Sequence, residues 1–188
     1  MSIATSPSSQ QTAQSIWQID PAHSLLEFSV RHMMVSTVKG RFTQLRGTIT
    51  DVADDPTLSS VEVSVDAASI TTGDVNRDGH LRSADFLDVE QYPTITFTST
   101  SLQGSRDEFT LTGDLTLHGV TRQVSLDVTL NGVGTNPYGK TVAGFSAETK
   151  ISRKEWGLNW NVGLEAGGVL VSDQLKVSVE IQAVRQDA

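Results

Sequence analysis

Between Trp17 and Val184 the chain alternates apolar and polar residues with a period of two, in one short segment after another. Successive side chains on an extended strand point to opposite faces, so this period marks strands with one buried face. In "LLEFSVRH" Leu26, Phe28, Val30 and His32 share a face, and Glu27, Ser29 and Arg31 take the other. "VEVSV", "ITFTS", "TVAGFSAETKIS" and "LKVSVEIQAV" alternate in the same way. "FTLTGDLTL", the turn "HGVTR" and "VSLDVTL" read as a hairpin, with Leu111, Leu115 and Leu117 facing Val124, Leu126, Val128 and Leu130. "NPYG" at 136–139 marks a further turn. At least eight strands follow from this pattern, and only residues 74–85 break it, with one short helix or helical loop expected there. Many alternating strands in one domain imply an antiparallel sandwich or a closed barrel.

A chain of 188 residues suits one domain or at most two small ones. Residues 1–15 are rich in Ser, Thr and Gln and are expected to form a loose tail, leaving residues 16–188 as the domain. The net charge of −8, with basic residues spread singly, disfavours nucleic acid as a partner. Arg31, Lys39, Arg41 and Arg46 read as the solvated outer face of a strand pair, with a patch that meets an acidic headgroup as the alternative. The chain has no cysteine, so disulfides, thiolate metal sites and a cysteine nucleophile are excluded. No stretch approaches the ~18 apolar residues of a membrane-spanning helix. The opening "MSIATSPSSQQTAQS" lacks the basic and apolar regions of a secretory leader, which makes the cytoplasm the expected compartment.

Residues 74–85, "DVNRDGHLRSAD", approach the spacing of a calcium-binding EF-hand loop. The context argues against that function. Strand-like segments flank the loop where an EF-hand needs helices, Arg82 occupies a ligand position, and the last position carries Asp85 in place of the usual Glu. No metal site is expected. The four histidines, His23, His32, His80 and His118, show no metal-binding spacing, and no nucleophile motif accompanies them. His118 reads as a turn residue. His32 ends a line of inward apolar side chains, where it is either a satisfied edge residue or a group that meets a ligand head. Met33 and Met34 suit an adaptable apolar site, and Trp156 and Trp160 in "EWGLNWN" suit a binding mouth or a barrel end.

Together "WQIDPAHSLLEFSVRHMMVSTVKGRF", "NRDGHLRSADFLDVEQYPTITFTSTS", "LTGDLTLHGVTRQVSLDVTL" and "WGLNWN" resemble the YceI-like family of polyisoprenoid-binding, lipocalin-like bacterial proteins. The resemblance runs from about Trp17 to Val184, and it makes the calcium-like spacing incidental to a family signature. It implies an all-β fold: an antiparallel, up-and-down, lipocalin-like barrel of about eight strands, wide enough to hold one small ligand. It further implies binding, transport or storage of an isoprenoid lipid, such as a polyprenyl phosphate or an isoprenoid quinone, in an elongated apolar interior, with homodimers frequent and many relatives periplasmic. On this reading the protein is not an enzyme and needs no cofactor beyond the lipid. The candidate ligand-binding residues are Phe28, Val30, His32, Met33, Met34, Phe42, Leu81, Phe86, Phe97, Trp156 and Trp160. Two alternatives stay open: a lipid-modifying enzyme with His32 or His118 as general base, and an interaction or stress protein with a dry core.

Overall fold

A computed structural model describes residues 14–53, 55–165 and 167–187. Of the tail expected over residues 1–15, residues 1–13 lie outside those described, and Gln14 and Ser15 begin the first strand.

Among the described residues, eleven antiparallel strands form one sheet. They are β1 (Gln14–Ile19), β2 (Leu25–His32), β3 (Ser36–Phe42), β4 (Leu45–Val52), β5 (Ser60–Asp66), β6 (Ile70–Thr71), β7 (Thr94–Gly104), β8 (Glu108–Leu117), β9 (Val120–Thr135), β10 (Thr141–Ser152) and β11 (Val171–Arg185). Three pairs are single strands broken at a corner. Strands β1 and β2 both lie along β11, and β3 and β4 run back along β2 and β1. Strands β5 and β6 continue the pattern against β4 and β3. Each broken strand counted once, the sheet is an eight-stave, up-and-down barrel, closed where β11 pairs with β1. Closure removes the unpaired edges that an open sheet of this size would expose.

The corners have local causes. At the first, Asp20 caps a single helical turn (Pro21–His23) by accepting from the Ala22 amide at 3.0 Å. At the third, Asp66 does the same for Ala67–Ser69, accepting from the Ala68 amide at 2.8 Å. Each turn uses a proline or a short polar cap to leave the ladder. The hairpin between β8 and β9 is tighter. His118 (φ 51°) and Gly119 (φ 71°) are both left-handed, as a two-residue hairpin whose twist matches its strands requires. At Gly119 the Tyr92 ring also stands so close that a Cβ would meet it at 2.5 Å.

One α-helix, α1 (Val75–Arg82), joins β6 to β7, as the break in alternation predicts. Asp74 is its N-cap, accepting from the Arg77 amide at 2.9 Å. The helix, the loop through Pro93 and the β10–β11 connection gather at one end of the barrel. There Ile70, Leu87, Leu117, Trp156 and Leu158 form a buried cluster with Val65 and Ile151. The turns between β4 and β5, β7 and β8, and β9 and β10 lie at the opposite end.

Candidate functional site

The inward faces of β4, β5 and β7 to β11, with the ends of β1 and β2, enclose an apolar cavity of about 270 Å³. Its walls come from positions fixed by the strand period: Val61, Val63 and Val65 on β5, Val124, Leu126 and Val128 on β9, and Val177, Val179 and Ile181 on β11. Room is left where the inward side chains are small. Ala143 and Ala147 on β10 are the clearest cases. Gly113 on β8 does the opposite: the Phe97 ring from β7 lies over it, so that a Cβ there would meet the ring at 2.5 Å. Phe97 can therefore lie flat against the wall.

The cavity has two unlike ends. At the turn end stand Asp51, Pro56, Ser59, Ser105 and Arg106, and Arg106 Nη2 donates to Asp51 Oδ2 at 3.3 Å. Among the described residues lining the cavity, Asp51 and Arg106 are the only charged ones. At the other end the interior is filled. Trp156 is 0% exposed and donates from Nε1 to the Leu115 carbonyl at 3.1 Å. Arg153, also buried, fastens the β10–β11 connection by donating from Nη1 to the carbonyls of Leu158 (2.6 Å) and Trp160 (2.8 Å) and from Nε to that of Ser172 (3.1 Å). Burial pushes its guanidinium pKa down, against the nearby Asp173 charge. Over this plug His80 meets the edges of Phe86 (5.0 Å between ring centres) and Trp160 (4.7 Å).

Of the eleven residues expected to bind ligand, Phe97 lines the cavity. Phe28 and Phe42 pack on each other, 5.9 Å between ring centres, as part of the filled end. The Phe28 ring covers Gly40, where a Cβ would meet it at 2.4 Å. Its strand neighbour Leu26, two positions nearer the turn end, does line the cavity. Leu81, Phe86, Trp156 and Trp160 belong to the plug or its cover. Val30 and His32 lie further along β2, where His32 pairs with Val171. Met33 and Met34, 44% and 62% exposed, make the outer turn at the filled end. Strand alternation placed the β2 side chains on the inward face, but it carries no information on depth along the barrel axis. Sequence reasoning missed the β5, β9, β10 and β11 walls as a set, and with them Ala143, Ala147, Asp51 and Arg106. Small residues at inward strand positions, and charges at strand ends, were the available signals.

The signature segment has a structural role. Asp78 is buried, accepting at Oδ1 from the Thr72 amide (2.8 Å) and hydroxyl (2.6 Å) and at Oδ2 from the Thr71 hydroxyl (3.1 Å). Arg82 ties the helix to the corner by donating to the carbonyls of Ala68 (2.8 Å) and Ile70 (2.7 Å). Asp85 Oδ2 lies 2.8 Å from His80 Nε2. Asp74, Asp78 and Asp85 thus each have a partner within the fold. We expect thermal scans in millimolar calcium and in chelator to coincide within about one degree. A site saturated 100-fold above its dissociation constant would add ~2.7 kcal/mol and shift the midpoint by several degrees.

Burial raises the Asp78 pKa, but the hydrogen bonds from Thr72 and Thr71 and the Arg82 charge outweigh it and leave the carboxyl below its ordinary value. A depressed carboxyl contributes stability that is complete above the unfolded value, about 3.9, and that is lost as pH falls through the folded one. Asp173 is depressed in the same direction, first by the Ser152 hydroxyl. Denaturant midpoints are therefore expected to fall below about pH 4. In Asp78→Asn, less stable at neutral pH, that fall should be shallower. Equal slopes in the two proteins would show that Asp78 has no part in it.

A closed antiparallel barrel with an apolar interior, one filled end and one polar-rimmed end defines a lipocalin-like protein of the single-cavity kind. The family model described as the YceI-like domain matches residues 17–183, and the chain belongs to that family. It is 38% identical over 164 residues to Protein YceI of Escherichia coli O157:H7, a match covering 87% of this chain and 83% of that protein. The crystal structure of Campylobacter jejuni YCEI protein superposes with a TM-score of 0.72 at 28% identity, over 84% of this chain and 90% of that one. A polyisoprenoid binding domain from Saccharophagus degradans shares the fold at 16% identity, with a TM-score of 0.67 over 94% of this chain and all of that one.

Proposed function

We propose that this protein binds the hydrocarbon chain of an isoprenoid lipid inside the barrel and carries or stores it. The observation that carries this reading is the cavity: about 270 Å³, walled by Val, Leu, Ile and Phe side chains, with its charges confined to one end. An apolar space well above ~150 Å³ stays dry and accepts hydrocarbon, and ligand pockets begin near ~300 Å³. Each Å² of chain buried contributes roughly 25 cal/mol without any directional group. Such a site needs walls and no catalytic cluster. The description of the Saccharophagus degradans neighbour as a polyisoprenoid binding domain supports the same ligand class.

The histidines support binding over catalysis. His118 Nδ1 lies 3.2 Å from the Trp156 carbonyl and its ring meets Tyr92, 4.8 Å between centres, so the side chain braces the plug. Neither His118 nor His32 lines the cavity. The test is mass spectrometry of an organic extract of the purified protein, paired with titration of the stripped protein by a fluorescent prenyl probe. A prenyl lipid in the extract and saturable probe binding are expected. An empty extract together with non-saturable binding would overturn the proposal.

A further inference from the structure

We infer that the Arg106–Asp51 pair makes the cavity mouth selective for an uncharged head group that accepts hydrogen bonds, a carbonyl oxygen above all, over phosphate or carboxylate heads. The inference rests on the chain-binding reading above and concerns the part of the ligand that the cavity walls do not touch.

Donor capacity at the mouth is unevenly distributed. The Ser59 hydroxyl accepts from the Val52 amide at 3.0 Å and is directed at Asp51 Oδ1, 3.5 Å away. The Ser105 hydroxyl donates to the Glu108 carbonyl at 3.0 Å and accepts from the Glu108 amide at 3.0 Å. Both serve their own turns. Arg106 is different. Its guanidinium carries five N–H donors but makes two long contacts: Nη2 to Asp51 Oδ2 at 3.3 Å and Nη1 to the Ala53 carbonyl at 3.4 Å. Charge-assisted bonds of full strength are nearer 2.7–2.9 Å. With its side chain 56% exposed, Arg106 has donors to spare at the point where the apolar walls end. A head group that gains from this mouth is therefore an acceptor.

The charge around Arg106 decides which acceptor. Asp51 already balances it, and Asp55 and Asp107 add negative charge in the two flanking turns. An anionic head would compete with Asp51 for the guanidinium and be repelled by its carboxylate, a repulsion that falls with distance and is screened by salt. A carbonyl oxygen takes a bond from Arg106, leaves Asp51 in place and adds no charge. Asp51, 25% exposed against 56% for Arg106, is the more enclosed member of the pair and the source of the discrimination.

The test uses the full chain and three ligands with a common isoprenoid tail, competing against a fluorescent prenyl probe: the ketone farnesyl acetone, farnesyl phosphate and the head-less hydrocarbon farnesene. At low salt the wild-type protein is expected to bind the ketone about tenfold more tightly than the phosphate, with the gap closing as salt is added. Asp51→Asn should raise phosphate affinity relative to that of the ketone about tenfold. Arg106→Met should remove the ketone's advantage over farnesene, so that the two bind about equally. Phosphate binding as tight as ketone binding in the wild type overturns the inference, as does an Arg106→Met variant that weakens farnesene as much as the ketone. Should Arg106→Met not fold, the wild-type ranking and Asp51→Asn decide alone. A protein that binds none of the three, farnesene included, overturns the chain-binding reading itself.

Discussion

In the Ala147→Phe variant, prenyl-probe binding is expected to be lost while the barrel stays folded. Ala147 sits on β10 between Val128 and Val179, and all three line the cavity. A benzyl group at this position points into space that the wild-type protein leaves open. It would take up much of a volume of about 270 Å³. Overpacking a solid core usually costs ~1 to 3 kcal/mol. Here the added ring finds apolar walls and buries surface at roughly 25 cal/mol per Å², so stability should change by less than ~1 kcal/mol in either direction. Probe affinity should fall at least tenfold, or ~1.4 kcal/mol. Loss of stability on the overpacking scale with unchanged affinity would mean that the space around Ala147 is filled in solution and that the ligand sits elsewhere.

The second large effect belongs to the other end of the barrel. Trp156→Ala is expected to lower stability by ~3 to 5 kcal/mol, the usual cost of truncating a large side chain in a packed interior. Trp156 is fully buried, and its indole N–H satisfies the Leu115 carbonyl. Its backbone carbonyl is in turn the partner of His118. At ~2 to 4 °C per kcal/mol for a chain of this size, the melting point should drop on the order of 10 °C. Trp160, exposed in part over His80 and Phe86, is a control with a smaller loss on truncation. A Trp156→Ala protein within ~1 kcal/mol of wild type would mean that this end is not close-packed and that the cavity runs further than described.

The strands and hairpins were legible in the sequence because a period of two is a local property. Leu111, Leu115, Leu126 and Val128 face inward as their spacing says, and all four line the cavity. Helix α1 was legible as a break in that period. The corners were not. At Asp20–Ser24 and Asp66–Ser69 the strand stops and resumes against the same neighbour, which only the pairing with a distant strand reveals. The candidate site suffered from the same limit. Phe28 and Leu26 have the same alternation and the same inward face, yet Leu26 borders open space and Phe28 is packed into the filled end. Depth along the axis is set by what the other staves place at that level, here Phe42 and Gly40. Aromatic and methionine residues drew attention as candidate walls, whereas room for a ligand is made by small ones such as Ala143 and Ala147. The family signature around His80 likewise lies over the plug, outside the cavity lining.

The filled end gives the barrel the geometry of a ruler. From Leu45 to Asp51 the wall of β4 rises ~3.3 Å per residue at a tilt near 40°, a depth on the order of 15 Å. A flexible chain that enters at the turn end must stop where Trp156, Phe28 and Leu117 begin. On the proposed function, carbon beyond that depth has to stay outside, against the rim. Entry and departure then share one doorway and run in opposite order, tail first inward and head first outward. On the proposed function, such a barrel measures the length of the chain it holds and always leaves the same end of it outside.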